Sequence, residues 1–302
     1  MYKDELIQTI FGEDALTYIK NKNRGGTNNN KGKEYEDFFA IYKLSEIAKQ
    51  IVEEGIDAKF FSQLKTFVDD LVIDFPKLRI HYQLKNKEKG ISWGNSDTLK
   101  SIAYDFYSQY RINETIKLEE TQLCLVTNKK QQQIHLSKTI PSEIKNYTSV
   151  FYFYYSKNIN EIIEAMPDFK ESISYLSAFD RPEPDKIECV ATVLLGAWYS
   201  IDTSEVSVSE LLHKAQTTQP SYIRLFSSDI ELDPGMRSIL DRIPRFQYNV
   251  SKGFLHWDYA DGLDTGTIYH DIESSNFKKI QDLIKQFQPT SFEDLEKFLI
   301  ST

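Results

Sequence analysis

Residues 67–86, FVDDLVIDFPKLRIHYQLKN, constrain the chain more than any other stretch, because their pattern specifies a β-hairpin together with its register. Val68, Leu71, Val72, Ile73 and Phe75 form a short apolar run rich in β-branched residues, the composition of a buried strand. Pro76 and Lys77 interrupt it, and the fixed φ of proline suits the first central position of a turn. The next strand alternates, with Ile80, Tyr82 and Leu84 on one face and Arg79, His81, Gln83 and Lys85 on the other. If Pro76 and Lys77 are the loop, Phe75 faces Leu78, Asp70 lies opposite Gln83, and Lys85 sits one pleat further along that face. A loop longer by two residues keeps this parity, whereas a one-residue bulge would put Asp69 in the place of Asp70.

A carboxylate, an amide and a lysine converging on one face suit metal-assisted phosphodiester hydrolysis. Mg²⁺ prefers oxygen ligands and keeps several waters, so a carboxylate and one further oxygen can hold it on a sheet. The metal acidifies a water and neutralises phosphate charge, and a nearby lysine can orient that water or stabilise developing charge. The same alternation also fits a half-buried hairpin whose polar face meets solvent.

At 302 residues the chain suits one large domain or two ordinary ones, and its many Phe and Tyr residues can fill a core. No apolar run reaches the length of a membrane span, and MYKDELIQTIFGED lacks the apolar core of a signal peptide. Cys124 and Cys189 form no ligand-spaced pair, so a reducing cytoplasm is expected. The net charge of −9 is unevenly spread: residues 1–150 carry +1 and residues 151–302 carry −10. Contact with nucleic acid is therefore expected from the first half.

Residues 2–20 have a short helical pattern, and NKNRGGTNNNKGK reads as a polar loop. Its glycine spacing and the Glu34 that follows Lys33 exclude a nucleotide P-loop. Arg24, Lys31 and Lys33 could touch a DNA backbone or simply be solvated. Residues 32–54 form the clearest helix, with Tyr35, Phe38, Phe39 and Tyr42 on an apolar flank joined by Ile41, Leu44, Ile47 and Ile51. Glu36 has Gly32 and Ala40 one turn away on either side, which leaves its carboxylate a channel toward a neighbouring strand. A short strand at 59–61, a helix over 97–110 capped by Ser96, and a strand at 121–127 complete an α/β arrangement.

The order helix, strand, hairpin, helix, strand, with GG…KGxxYED on the first helix and Gln-x-Lys on the hairpin, resembles the PD-(D/E)XK nuclease superfamily. Within it, the sequence is similar to the effector nucleases of bacterial antiphage systems, namely the CBASS-associated double-strand DNA nucleases and the Lamassu nuclease subunit. The resemblance covers roughly residues 24–130. It implies a restriction-endonuclease-like αβββαβ core and a metal-dependent DNA endonuclease. It also implies Glu36, Asp70 and Gln83 as ligands of Mg²⁺ (or Mn²⁺) and Lys85 as the catalytic lysine, acting with Glu36, Asp70 and Gln83. Gln83 departs from the family pattern, being neutral where an acidic residue is usual. His81 shares their face and is expected against phosphate, behind the ligands, or exposed.

Residues 151–302 read as a mainly helical α+β domain. QQQIHLSK and the aromatic run 149–156 lead into helical pieces broken at Pro167, then a buried helix over IECVATVLLGAWYS. SVSELLHKAQTTQPSYIRLF reads as helix, turn and second short helix, followed by a hairpin turning at Lys252-Gly253 and two final helices. That outline is winged-helix-like, and its acidity favours a protein partner over DNA. His213, His256 and His270 form no ligand-spaced metal site. Three functions fit. The first is an endonuclease acting on double-stranded DNA, activated through residues 151–302 by an SMC-like ATPase or other sensor subunit, with homo-oligomerisation on activation open. The others are a stand-alone restriction-type endonuclease and a non-catalytic adaptor with a nuclease fold.

Overall fold

In the computed structural model, residues 2–26, 30–88, 90–226 and 231–300 are described, the side chains of 24–26, 30–31 and 300 excepted. Helices α1 (Asp4–Phe11), α2 (Glu13–Gly26) and α3 (Asn30–Glu54) precede strands β1 (Lys59–Ser62), β2 (Leu71–Asp74) and β3 (Leu78–Lys85). Then come α4 (Ile102–Thr115), β4 (Glu120–Thr127), α5 (Lys130–Lys138), β5 (Thr148–Tyr152), α6 (Ile159–Ala165) and α7 (Pro167–Leu176). The remainder is α8 (Pro184–Tyr199), β6 (Val206–Ser207), α9 (Val208–Gln216), α10 (Pro234–Leu240), β7 (Phe246–Ser251), β8 (Phe254–Tyr259), β9 (Asp264–Thr267), α11 (Ser275–Phe287) and α12 (Phe292–Ile300). The chain is thus α/β, and it divides into two compact units: Met1–Ser172 with Leu194–Leu212, and Ile173–Val193 with His213–Thr302. Among the described residues no helix is long and apolar enough to cross a membrane.

The first unit holds a mixed sheet in the order β5-β4-β3-β2-β1-β6. Strands β1, β2 and β3 run antiparallel, and β4 and β5 continue parallel to β3. The hairpin register is the one its turn dictates: Asp74 pairs with Arg79 and Leu71 with Tyr82, and Phe75 N donates to Leu78 O at 2.8 Å.

Both faces of β3 are covered. On one, α3 sets Phe39 against Tyr82 with ring centroids 5.1 Å apart, and Tyr42 stacks on Phe151 and Phe153. On the other, α4 contributes an apolar edge, Ala103 and Phe106, which packs with Val68, Leu123, Leu125 and Trp93. Beside that edge runs a buried polar stripe at helical spacing: Asp105, Gln109 and Asn113. Gln109 Oε1 accepts from Thr66 Oγ1 (2.6 Å) and from the backbone N–H of Phe67 and Val68 (3.1 Å each). It thereby satisfies the N–H groups of Phe67 and Val68, in the irregular backbone ahead of β2.

Several expectations change. The polar face of the hairpin does not meet solvent: Arg79, His81 and Gln83 are all buried. His81 is not exposed; it is fully enclosed, with Nδ1 3.0 Å from Val68 O and Nε2 3.2 Å from Asn113 Nδ2. Helix α4 begins at Ile102 rather than 97, because Ser101, not Ser96, accepts the capping bond from Tyr104 N at 2.9 Å. Residues 21–26, read as loop, continue α2, held by Lys22 and by Asn23 Nδ2 donating to Gln63 O at 2.8 Å. The side chains of Arg24 and Lys31 lie outside the described residues, and Lys33 is exposed.

In the second unit, α10, α11 and α12 pack on the sheet β7-β8-β9 around Met236, Phe277, Ile280, Ile284 and Leu295. The hairpin turns where expected, with Lys252 and Gly253 both at positive φ (55° and 86°). The second short helix expected before it is absent: Ile223 instead bridges Ser177 in extended backbone. The third strand, β9, carried no clear sequence signal.

Burial of His81 holds its pKa down to about 3, so it is neutral in the folded protein. In the unfolded chain it titrates near ~6.5, so below that pH the unfolded state takes up the extra proton and stability falls as pH falls. Urea unfolding at pH 6.5 and pH 5 should show wild type losing about 2 kcal/mol more over this interval than His81→Gln.

Candidate active site

The hairpin register places Asp70 opposite Gln83, just ahead of β2, and the polar groups converge there. Asp70 Oδ2 accepts the backbone N–H of Leu84 at 2.7 Å and a very short bond from Gln83 Nε2. Neither bond uses Oδ1. Gln83 is 2% exposed, so its amide oxygen also needs a donor, and Lys22 Nζ supplies it at 2.8 Å.

Lys22 was not anticipated as a site residue. Its ammonium also lies 2.9 Å from Asp69 Oδ1 and 3.1 Å from Asp105 Oδ2, and it donates to Phe67 O. Both carboxylates raise its pKa despite burial, so it stays charged. A signal existed in the sequence: Lys22 continues the stripe Ala15, Leu16 and Ile19 at helical spacing and so falls on the buried face of α2. Reading residues 21–26 as a loop concealed it. Asp69, the alternative to Asp70, is 2% exposed and turned to Lys22; burial lifts its pKa to about 6 even though Lys22 opposes the shift. Adjacent aspartates thus face different partners, Asp69 toward α2 and Asp70 toward β3.

Glu36, on the second turn of α3, reaches the same place, where Oε2 accepts from Gln63 Nε2 at 2.7 Å. Burial first, and then the charges of Asp70 and Asp69, push its pKa up to about 8. Gln63 sits at φ 53°, and its Oε1 is buried with no hydrogen-bond donor among the described residues.

A cleft of about 860 Å³ opens on these groups, lined by Glu36, Gln63, Asp70, Gln83 and Lys85 among others. Lys85 ends β3 and makes no ion pair among the described residues. An adjoining cleft of about 430 Å³ shares Lys22, Gln83, Lys85 and Lys87 and adds Lys100, giving this side of the site a basic wall. All four residues named from sequence, Glu36, Asp70, Gln83 and Lys85, therefore line one cleft.

Among the described residues no group of three His, Cys, Asp or Glu side chains is arranged to hold a metal ion. Two carboxylates, Glu36 and Asp70, together with the undonated amide oxygen of Gln63, nonetheless suit a hard cation that keeps several waters. Burial is the main cause of the upward shift of Glu36, and the repulsion from Asp70 and Asp69 that adds to it is the part such a cation would relieve.

No protein-family model matches the chain, and neither a curated protein nor a solved structure matches it.

Replacing Gln83 by Glu removes the donor to Asp70 and adds a buried negative charge beside it. Gln83→Glu should lower metal-free unfolding stability by roughly 2–4 kcal/mol, read from urea denaturation.

Proposed function

We propose that this protein is a Mg²⁺-dependent DNA endonuclease with a restriction-endonuclease-like core. The observation that carries the reading is the gathering of Glu36, Asp70, Gln83 and Lys85 in one cleft, at the end of the β2-β3 pair opposite its turn, within a helix–three-strand–helix–strand order, α3-β1-β2-β3-α4-β4. The turn from antiparallel to parallel pairing at β3 agrees with the PD-(D/E)XK resemblance, as does the position of Lys85 two residues beyond Gln83.

Asp70, Glu36 and Gln63 would hold the Mg²⁺, with Mn²⁺ as a substitute. Bound there, the metal supplies acidification of a water and neutralisation of phosphate charge. Lys85 then has two tasks open to a free ammonium in this cleft: orienting the attacking water and stabilising charge that builds on the phosphate. The basic wall of Lys87 and Lys100 attracts the flanking backbone, a sequence-independent and salt-sensitive contribution. Gln83 ties Asp70 in place from the side.

The acidic character of residues 151–302, net −10, favours docking to a protein over docking to DNA. An SMC-like ATPase or another sensor subunit of an antiphage complex is the partner that the resemblance suggests. A stand-alone restriction enzyme would want a basic second half.

Plasmid cleavage with Mg²⁺ tests the reading, with wild type beside Lys85→Ala and Asp70→Asn, each with and without candidate partner subunits. Both variants should cut at least about 10²-fold more slowly while remaining folded. Equal cleavage by wild type and Lys85→Ala would remove Lys85 from the site. Silence from every protein, with partners and DNA ends supplied, would leave an adaptor.

A further inference from the structure

Lys22 comes from α2, outside the α3-β1-β2-β3-α4-β4 core, yet it touches the site at the residue where the family pattern breaks. An ammonium can only donate, an ionised carboxylate can only accept, and an amide offers one end of each kind. Between Lys22 and Asp70, Gln83 therefore satisfies both neighbours in one orientation alone, oxygen to Lys22 and nitrogen to Asp70. The flipped amide would set NH₂ against NH₃⁺ and oxygen against carboxylate. A glutamate would accept from Lys22 but repel Asp70. Lys22 in turn cannot drift, because Asp69, Asp105 and the Phe67 carbonyl hold it from other directions.

Resting on the nuclease reading, we propose that Lys22 is a positioning residue of this site, acting through Gln83. It fixes the amide so that Gln83 serves as a hydrogen-bond donor to Asp70 instead of an oxygen ligand. Asp70 Oδ2 is thereby occupied by Gln83 and by Leu84 N, and Oδ1 is the oxygen left for a cation in the cleft beside Glu36. The neutral residue at position 83 follows from this arrangement: the lysine has two carboxylates already, and the strand residue must bridge a cation to an anion.

The competing role is charge balance, in which Lys22 only neutralises Asp69 and Asp105. Three variants of the full chain separate the two. Lys22→Arg keeps the charge and the donors. Lys22→Met removes both and leaves buried carboxylates unpaired, so it is paired with a second variant, Lys22→Met/Asp105→Asn, which lowers that burden. The first readout needs no metal: hydrogen exchange of the Gln83 side-chain NH₂, followed by NMR and assigned by its absence in Gln83→Met. The second is Mn²⁺ affinity by calorimetry.

The Gln83 amide should be protected in wild type and in Lys22→Arg. In Lys22→Met/Asp105→Asn, protection should fall about tenfold or more, the equivalent of one charge-assisted hydrogen bond, even where thermal unfolding is close to wild type. Mn²⁺ affinity should fall about tenfold to a hundredfold in the same variant and recover in Lys22→Arg. An unprotected amide in wild type, or full protection in the folded double variant, overturns the proposal. If the exchange pattern is as expected but wild type binds no Mn²⁺, the positioning role stands and the metal-dependent reading fails.

Discussion

Enclosing β3 on both faces denies its polar side chains water, and the first unit is built around answering that deficit. A buried polar group without a partner costs a few kcal/mol, more when it carries charge. Four side chains of one strand, Arg79, His81, Gln83 and Lys85, point to the face covered by α4 or to its edge. Each of the first three is matched by name: Arg79 with Asp74, His81 with Val68 O and Asn113, Gln83 with Asp70 and Lys22. The polar stripe of α4 exists because that strand face exists. Lys85, at the rim, is the one left open to the cleft, which is where a free ammonium is useful.

The hairpin and its register were legible because they rest on local rules. Pro76 fixes the turn, alternation fixes the faces, and together they bring Asp70 to Gln83 without knowledge of any other element. Glu36 was legible because the helix over 32–54 is strongly periodic. The partners of Lys22, Gln63 and Asp105 were not, since those pairings span 27 to 83 residues and no window of sequence contains them; for Lys22 the helical spacing signalled burial alone. The Asn- and Gly-rich composition after Asn21 also pointed to a loop, and tertiary capture of Lys22 and Asn23 overrode it.

The aromatic and polar halves of the first unit divide the work. Tyr35, Phe39 and Tyr42 gather around Phe153, tilted, edge-on and stacked respectively, in an aromatic layer that fixes α3, and with it the backbone carrying Glu36. Across the sheet, hydrogen bonds with definite donors and acceptors set side-chain orientation. Apolar packing accepts many rotamers of similar volume, whereas an amide wedged between a lysine and an aspartate accepts one. Precision at the site therefore comes from the polar side of the sheet.

The separation between Lys22 and Asp105, 83 residues, has a consequence for synthesis. A chain leaving the ribosome presents Lys22 early, Asp69 and Gln83 later, and Asp105 only after the whole hairpin has emerged. Until α4 docks, the lysine lacks Asp105, its second carboxylate, and Gln109 has not tied down the segment before β2. The cleft also takes Asn128, Tyr155 and Lys157 into its lining, so a nascent chain carries the first ingredients of the site long before it carries all of them.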